Sequence, residues 1–284
     1  MQNPPRQCLS IAGSDSGGGA GIQADLKAMH ANGVFGMSVL CSITAQNTQA
    51  VTEAFDLPLD LVRAQLDAIW SDFEVAAVKT GMLSSAPLVS LVANFLRELP
   101  DRPPLVIDPV MISKSGFSLL AADAVALVRD ELLPLATLVT PNRYEAELLA
   151  DCPIQTKADL LEAGRRILAL GPAAVLLKGG HLDGPGFDST RAVDFLFVED
   201  EIREFSSLRF ATRNTHGTGC TYSAAICAQL GRGLPLPDAV AAAKRYVAGA
   251  IEHGLAIGRG HGPTDHFWFL EDPATLHTPG EAHG

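Results

Sequence analysis

With 284 residues and 47% hydrophobic content, the chain can fill one large core or two small ones, and no apolar run is long enough to span a bilayer. Its 21 basic and 32 acidic residues leave a net charge of −11, which disfavours a non-specific hold on nucleic acid or an anionic membrane. Five scattered cysteines without a CxxC pair indicate neither a disulfide framework nor a zinc cluster, and eight histidines without ligand spacing add none. The opening MQNPPRQC does not lead into an apolar signal region, so the expected compartment is the reducing cytoplasm.

In chain order, residues 9–12 predict a short buried strand that stops at Gly13, followed by the glycine loop SDSGGGAG at 14–21. A helix follows with Ile22, Leu26 and Met29 on one face and a stop at Gly33. The loop spacing is neither GxGxxG nor a P-loop, because no Lys-Ser/Thr follows the glycines. Without a nearby cation it suits a small, flat, uncharged ligand, and Asp25, one turn into the helix, is placed to bond an amino group or ring nitrogen. The alternative for Asp25 is simple charge placement near a helix N-terminus. Residues 37–44 predict a strand leading to Gln46, whose amide offers a donor and an acceptor to a heterocycle edge.

Apolar positions Leu61, Val62, Leu66, Ile69 and Trp70 predict a helix, and 75–78 a strand running into Lys79-Thr80-Gly81-Met82. The cycle repeats with a helix over 88–99 and a strand over 105–110 that contains Asp108. The polar run 111–120 has the composition of a mobile lid or of an ordinary connection. Then come a helix over 121–133, a short strand at 138–140, and a helix opened by PNRYE at 141–145. Another helix covers 156–170, and a strand over 173–178 ends on Lys178 before two glycines. Residues 192–198 and 202–205 predict an antiparallel hairpin. A final helix spans 237–255, and the tail from about 258 to 284 is rich in Gly, Pro and His and receives no role. With no internal repeat and no linker, 1–284 is read as a single domain.

Between the hairpin and that last helix lies RNTHGTGCTYSAAICAQLG at 213–231. Glycines flanking Thr218 allow a sharp bend, and the amides entering the helix, at Gly217, Thr218, Gly219 and Cys220, lack intrahelical partners and suit a phosphate. Cys220 stands where positive dipole and free amides favour a thiolate, so it is a candidate proton acceptor; otherwise it is a small buried residue.

Alternating strands and helices imply an α/β fold, a mostly parallel sheet with helices on both faces and a late antiparallel hairpin. In such sheets ligands bind beyond the carboxyl ends of strands, which is where Gly13, Gln46, Lys79, Asp108, Glu145, Lys178 and the 217 turn fall. Phosphoryl transfer from a nucleotide needs these parts: amides on the transferred phosphate, Asp108 and Glu145 for Mg²⁺, Lys178 on phosphate oxygens, and Cys220 as base or orienting group. A thiol is an unusual base for an alcohol, so positioning is its other possible role.

Seven segments together, AGSDSGGGAGIQADLKA, AQNT, KTGML, DPVMISKSG, TPNRYEAELL, LLKGGH and NTHGTGCTYSAA, resemble the hydroxymethylpyrimidine/phosphomethylpyrimidine kinases of the ribokinase-like fold, in order and over nearly the whole chain. The resemblance implies phosphorylation of 4-amino-5-hydroxymethyl-2-methylpyrimidine with ATP and Mg²⁺, then of its monophosphate, in thiamine biosynthesis. It implies that Asp25 and Gln46 bind the pyrimidine beside Gly13, Met82 and Val110, and that Lys178, Asn142, Thr218 and Gly219 hold ATP. Asp108 and Glu145 would lie near the metal. Cys220 matches the position where ribokinase relatives carry a catalytic Asp. A homodimer is implied in the same way. The rival readings are a pyridoxal-type kinase on the same fold and a non-catalytic pyrimidine-binding protein.

Overall fold

The computed structural model describes residues 4–111, 120–180 and 188–270. Strand β1 (Gln7–Asp15) is almost wholly buried and is followed by α1 (Gly21–Ala31), β2 (Phe35–Gln46) and β3 (Val51–Asp56). The middle of the chain alternates α2 (Leu59–Trp70), β4 (Val75–Thr80), α3 (Ala86–Glu98), β5 (Leu105–Ile107), α4 (Ala122–Leu127) and β6 (Leu138–Val139). Helices α5 (Arg143–Ala150) and α6 (Lys157–Leu168) precede β7 (Ala174–Leu177), and the hairpin is β8 (Arg191–Val198) with β9 (Glu201–Leu208). Helices α7 (Thr218–Gly231) and α8 (Leu236–Glu252) complete the order.

Among the described residues the strands form one sheet in the order β3-β2-β1-β4-β5-β6-β7-β8-β9. The pairs from β2 through β1, β4, β5 and β6 to β7 are parallel, whereas β3 and the β8–β9 hairpin run antiparallel. Helices α2 to α6 bury one face of the sheet through residues such as Leu66, Leu88, Leu96 and Leu160. Helices α1, α7 and α8 bury the other through Met29, Ile226 and Val240. The expected α/β architecture with a late hairpin is therefore present.

Three expectations are corrected. Strand β1 continues past Gly13 to Asp15, because β2 pairs with it to the register Asp15↔Thr44 across a bulge. Strand β3 was not anticipated: it is an edge strand with only Val51 fully buried, so it lacks the alternation that marks a half-buried strand. The helix predicted over 121–133 becomes a π turn at Val128–Leu132 and a 3-10 turn at Leu133–Leu135, where Pro134 cannot donate to a continuing helix. The lid reading of 111–120 falls, apart from its two ends, outside the described residues, as does the tail beyond 270.

Helix α7 is buried from Thr221 to Gly231 all round, so it carries no polar face. Its small residues let it lie between the sheet and helices α1 and α8. At Gly231 a Cβ would strike Cys8 Sγ on β1. This packing sets the N-terminus of α7 directly above the strand ends.

Candidate active site

Strands β1, β2, β4, β5, β6 and β7 all end at one edge of the sheet, and a cavity of about 1280 Å³ opens over it. Gly13, Gln46, Met82 and Val110 line this cavity. So do Asp108, Asn142, Glu145 and Lys178, together with Gly217, Thr218, Gly219 and Cys220.

The two glycine loops meet in its wall. Gly217 has φ +77°, and a Cβ there would fall on the carbonyl oxygen of Gly19. Gly21, φ +56°, would place a Cβ 2.5 Å from the Gly13 carbonyl oxygen. Only glycine allows the backbones to approach so closely in this conformation. Asp15 holds the first loop: its carboxylate accepts from the N–H of Gly17 (2.8 Å), Gly19 (3.0 Å) and Ala20 (2.8 Å). His216, from the second loop, lies 2.8 Å from Asp15 Oδ2 through Nε2. Burial alone would raise the Asp15 pKa, but His216 and these amides outweigh it and hold the carboxylate below its ordinary range.

At the head of α7, Thr218 differs from expectation. Its N–H and its hydroxyl both donate to the Thr215 carbonyl, at 3.3 and 2.8 Å, so they close the turn. The amides of Gly219 and Cys220 have no protein acceptor among the described residues, and both residues line the cavity.

Lys178, just beyond β7, places Nζ 2.9 Å from Oδ1 of Asp108 at the end of β5. Thr140 and Ser223 hydroxyls lie 3.4 and 3.3 Å from the same carboxylate. Burial opposes the charge on Lys178, yet Asp108 and then Glu145 outweigh it and raise its pKa. Glu145 is buried, which raises its pKa, while Lys178 acts in the other direction. Its local fold is a capping box: Asn142 Oδ1 accepts from Glu145 N at 3.0 Å, and Glu145 Oε2 accepts from Asn142 N at 2.8 Å. Glu145 also accepts from the Met111 amide, and both Asn142 and Glu145 line the cavity.

Asp25 is not a lining residue. It is fully buried on α1, where Lys79 Nζ reaches Oδ1 and Oδ2 at 2.9 and 2.7 Å and Ser10 Oγ donates to Oδ2 at 2.5 Å. Asp25 itself does not reach the cavity, whereas Lys79, its ion-pair partner, is part of the lining. The expectation of a thiolate at Cys220 is also corrected. Burial pushes the thiol up to about 12, Asp25 and Asp108 add to this, and Lys79 with the Gly21 amide only partly offsets it. A desolvated thiol keeps its proton despite the helix N-terminus.

Gly13 faces Met82, whose methyl group fills the space a Cβ would need. Val110 adopts φ +32°, a conformation costly for a β-branched residue, and such strain gathers at ligand sites. Asp15, Thr44, Lys79 and His216 are the site residues that sequence reasoning left without a role. An Asp one residue removed from a glycine run is a signal for side-chain capture of loop amides, and it was available at Asp15.

Solved structures share this fold. The ADP complex of Bacillus subtilis pyridoxal kinase is 37% identical with a TM-score of 0.84, covering 93% of this chain and 98% of that one. The phosphomethylpyrimidine kinase of Clostridium difficile is 42% identical with a TM-score of 0.75, covering 86% of this chain and 99% of that one. Fold and site thus define an ATP-dependent kinase of the ribokinase-like class. The model of the phosphomethylpyrimidine kinase family matches residues 15–265. A hydroxymethylpyrimidine/phosphomethylpyrimidine kinase from Streptomyces coelicolor is 49% identical over 266 residues, 94% of this chain and 96% of the relative. The chain belongs to the phosphomethylpyrimidine kinase family.

Proposed function

We propose that this kinase transfers the γ-phosphate of ATP to the hydroxymethyl oxygen of 4-amino-5-hydroxymethyl-2-methylpyrimidine, and then phosphorylates the monophosphate to the diphosphate for thiamine biosynthesis. The observation that carries the reading is that one cavity joins the open amides of Gly219 and Cys220 to Gln46, Met82 and Gly13. The ring lies against Gly13, Met82 and Val110, with the Gln46 amide on its edge and Lys79, backed by Asp25, beneath it. The Gly219 and Cys220 amides receive the transferred phosphate, Lys178 neutralises its oxygens, and the protonated Cys220 orients the attacking hydroxyl. Asn142 contributes a donor toward the nucleotide.

Asp108 and Glu145 are hard oxygen donors on one wall of the cavity, and no group of three or more His, Cys, Asp or Glu side chains forms a metal cage among the described residues. That donor set fits Mg²⁺, which takes one or two carboxylates and completes its shell with water and phosphate oxygens. When bound, the ion would neutralise charge on the transferring phosphate.

The chain is further proposed to act as one kinase domain, in the cytoplasm, as a homodimer. Supporting the dimer are two exposed apolar residues that pair across β2 and β3, Ile43 and Phe55. Among the described residues no helix is long and apolar enough to cross a membrane. A second reading, pyridoxal phosphorylation, is favoured by the likeness to the Bacillus subtilis pyridoxal kinase. Steady-state ADP release with Mg-ATP, comparing hydroxymethylpyrimidine, its monophosphate and pyridoxal, separates the two. The proposal predicts higher kcat/KM for both pyrimidines, and it fails if pyridoxal alone supports turnover.

A further inference from the structure

The structure sets Gln46 Oε1 3.1 Å from Thr44 Oγ1 and Nε2 3.4 Å from His216 Nε2, but the two ends of an amide have the same shape and only their hydrogen-bond partners tell them apart. Proton counting decides which end is oxygen. Thr44 Oγ1 is 2.8 Å from the Ser14 carbonyl, which has no proton to give, so the hydroxyl donates there. A hydroxyl has one proton. Toward Gln46, Thr44 therefore only accepts, and the amide end facing it is the nitrogen.

The other end is fixed independently. The Asp15 carboxylate takes N–H bonds from Gly17, Gly19 and Ala20, as an ionised group does, and has no proton to offer His216. His216 Nε2, 2.8 Å from Asp15 Oδ2, must carry one. With that proton directed at Asp15, Nε2 has no lone pair left to accept an amide N–H from 3.4 Å, so the amide end that faces it is the oxygen. Both contacts give the same orientation: the reverse would leave the amide nitrogen without an acceptor at His216 and the amide oxygen without a donor at Thr44.

We infer, on the reading that Gln46 faces the substrate ring, that Thr44 and the Asp15–His216 pair are positioning residues that hold the Gln46 amide with nitrogen toward Thr44 and oxygen toward His216, and so set the order of donor and acceptor the ring meets. An aminopyrimidine carries a donor amino group beside an acceptor ring nitrogen and matches only one such order. A pyridine bearing a phenol presents a different pair. Discrimination between these rings thus depends on three side chains, Thr44, Asp15 and His216, that need not touch either one. The pair also joins the loop that binds the ring to the turn that binds phosphate, since His216 immediately precedes Gly217.

The backbone of His216 is held apart from its ring: its N–H donates to Gly262 O at 3.0 Å, and its carbonyl accepts from Thr264 N at 3.3 Å. Substitution of the ring therefore leaves the turn anchored. In ¹⁵N-histidine-labelled protein, assigned by loss of the signal in His216→Phe, Nε2 of His216 is expected to bear a proton; a bare Nε2 overturns the inference. In kinetics, His216→Phe and Thr44→Val should each raise the pyrimidine KM about tenfold, the scale of one lost oriented hydrogen bond, and narrow the preference over pyridoxal. The ATP KM should stay within about twofold, since no phosphate-binding amide is lost. In a Gln46→Ala background neither substitution should add further loss. Additive effects, or a parallel rise in ATP KM, would assign the residues a merely structural role. Wild-type turnover is measured first: its absence would refute the kinase substrate and leave the tautomer result standing by itself.

Discussion

Lys178 Nζ lies 2.9 Å from Asp108 Oδ1, which ties the end of β7 to the end of β5 across the intervening β6. The pair brings a cation and an anion to one point of the cavity, where phosphate and Mg²⁺ need opposite signs. Lys178→Met should lower kcat by about 10²–10³, the usual loss when one preorganised donor to developing charge is removed. Asp108→Asn should lower kcat and raise the Mg²⁺ concentration needed for half-maximal rate. Equal Mg²⁺ dependence in wild type and Asp108→Asn would remove Asp108 from the metal site.

Cys220 is held as a thiol by its surroundings, with its pKa at about 12. Its ionisation therefore lies far above neutral pH, and the thiolate fraction grows only as pH rises. Iodoacetamide should alkylate Cys220 at pH 7 more slowly than free cysteine, as read by peptide mass mapping. Cys220→Ala should keep pyrimidine binding and lose less than about 10² in kcat, below the range of a missing general base at its upper end. A loss near 10⁴ would return proton removal to this residue.

Gly217 combines φ +77° with a backbone carbonyl in the place of its missing Cβ. Gly217→Ala should destabilise the fold by about 1–3 kcal/mol from the backbone conformation alone, with more from the collision. Gly180, where a Cβ would meet nothing within 4 Å among the described residues, is the matched control. Gly180→Ala should shift stability by no more than about 0.5 kcal/mol. Urea unfolding of the two variants makes the comparison.

The Asp15 carboxylate has its pKa lowered in the folded state, so its contribution is present above the unfolded value, 3.8, and is lost as pH falls through the folded one. Wild type should exceed Asp15→Asn in stability at pH 7, and the difference should shrink as pH drops below about 4. A difference that grows on acidification would contradict the sign of this linkage.

The alternation of strand and helix was legible because the inner parallel strands carry short apolar runs, as in AVLL of β7, buried on both faces. The edge strand β3 was not, because four of its six residues are exposed and no buried face repeats. Within the site, residues that end strands could be found from position alone, and Gln46, Asp108, Glu145 and Lys178 do line the cavity. Asp25 shows where this fails: helical position places it near the ligand loop, but only three-dimensional packing shows Lys79 and Ser10 occupying its carboxylate. The thiolate reading at Cys220 missed what only the fold brings together: desolvation and the carboxylates of Asp25 and Asp108, which raise the thiol. His216 and Asp15 meet across 201 residues, a separation that no local pattern reports.

The central claim is that the ring pocket and the phosphate turn face each other across a single cavity. A crystal structure with a non-hydrolysable ATP analogue, Mg²⁺ and hydroxymethylpyrimidine tests it most directly. The pyrimidine should sit against Gln46 and Met82 with its hydroxymethyl oxygen about 3–3.5 Å from the γ-phosphorus, and that phosphate should accept from the Gly219 and Cys220 amides. A pyrimidine bound away from Gln46, or a γ-phosphate bound away from the head of α7, would contradict the account.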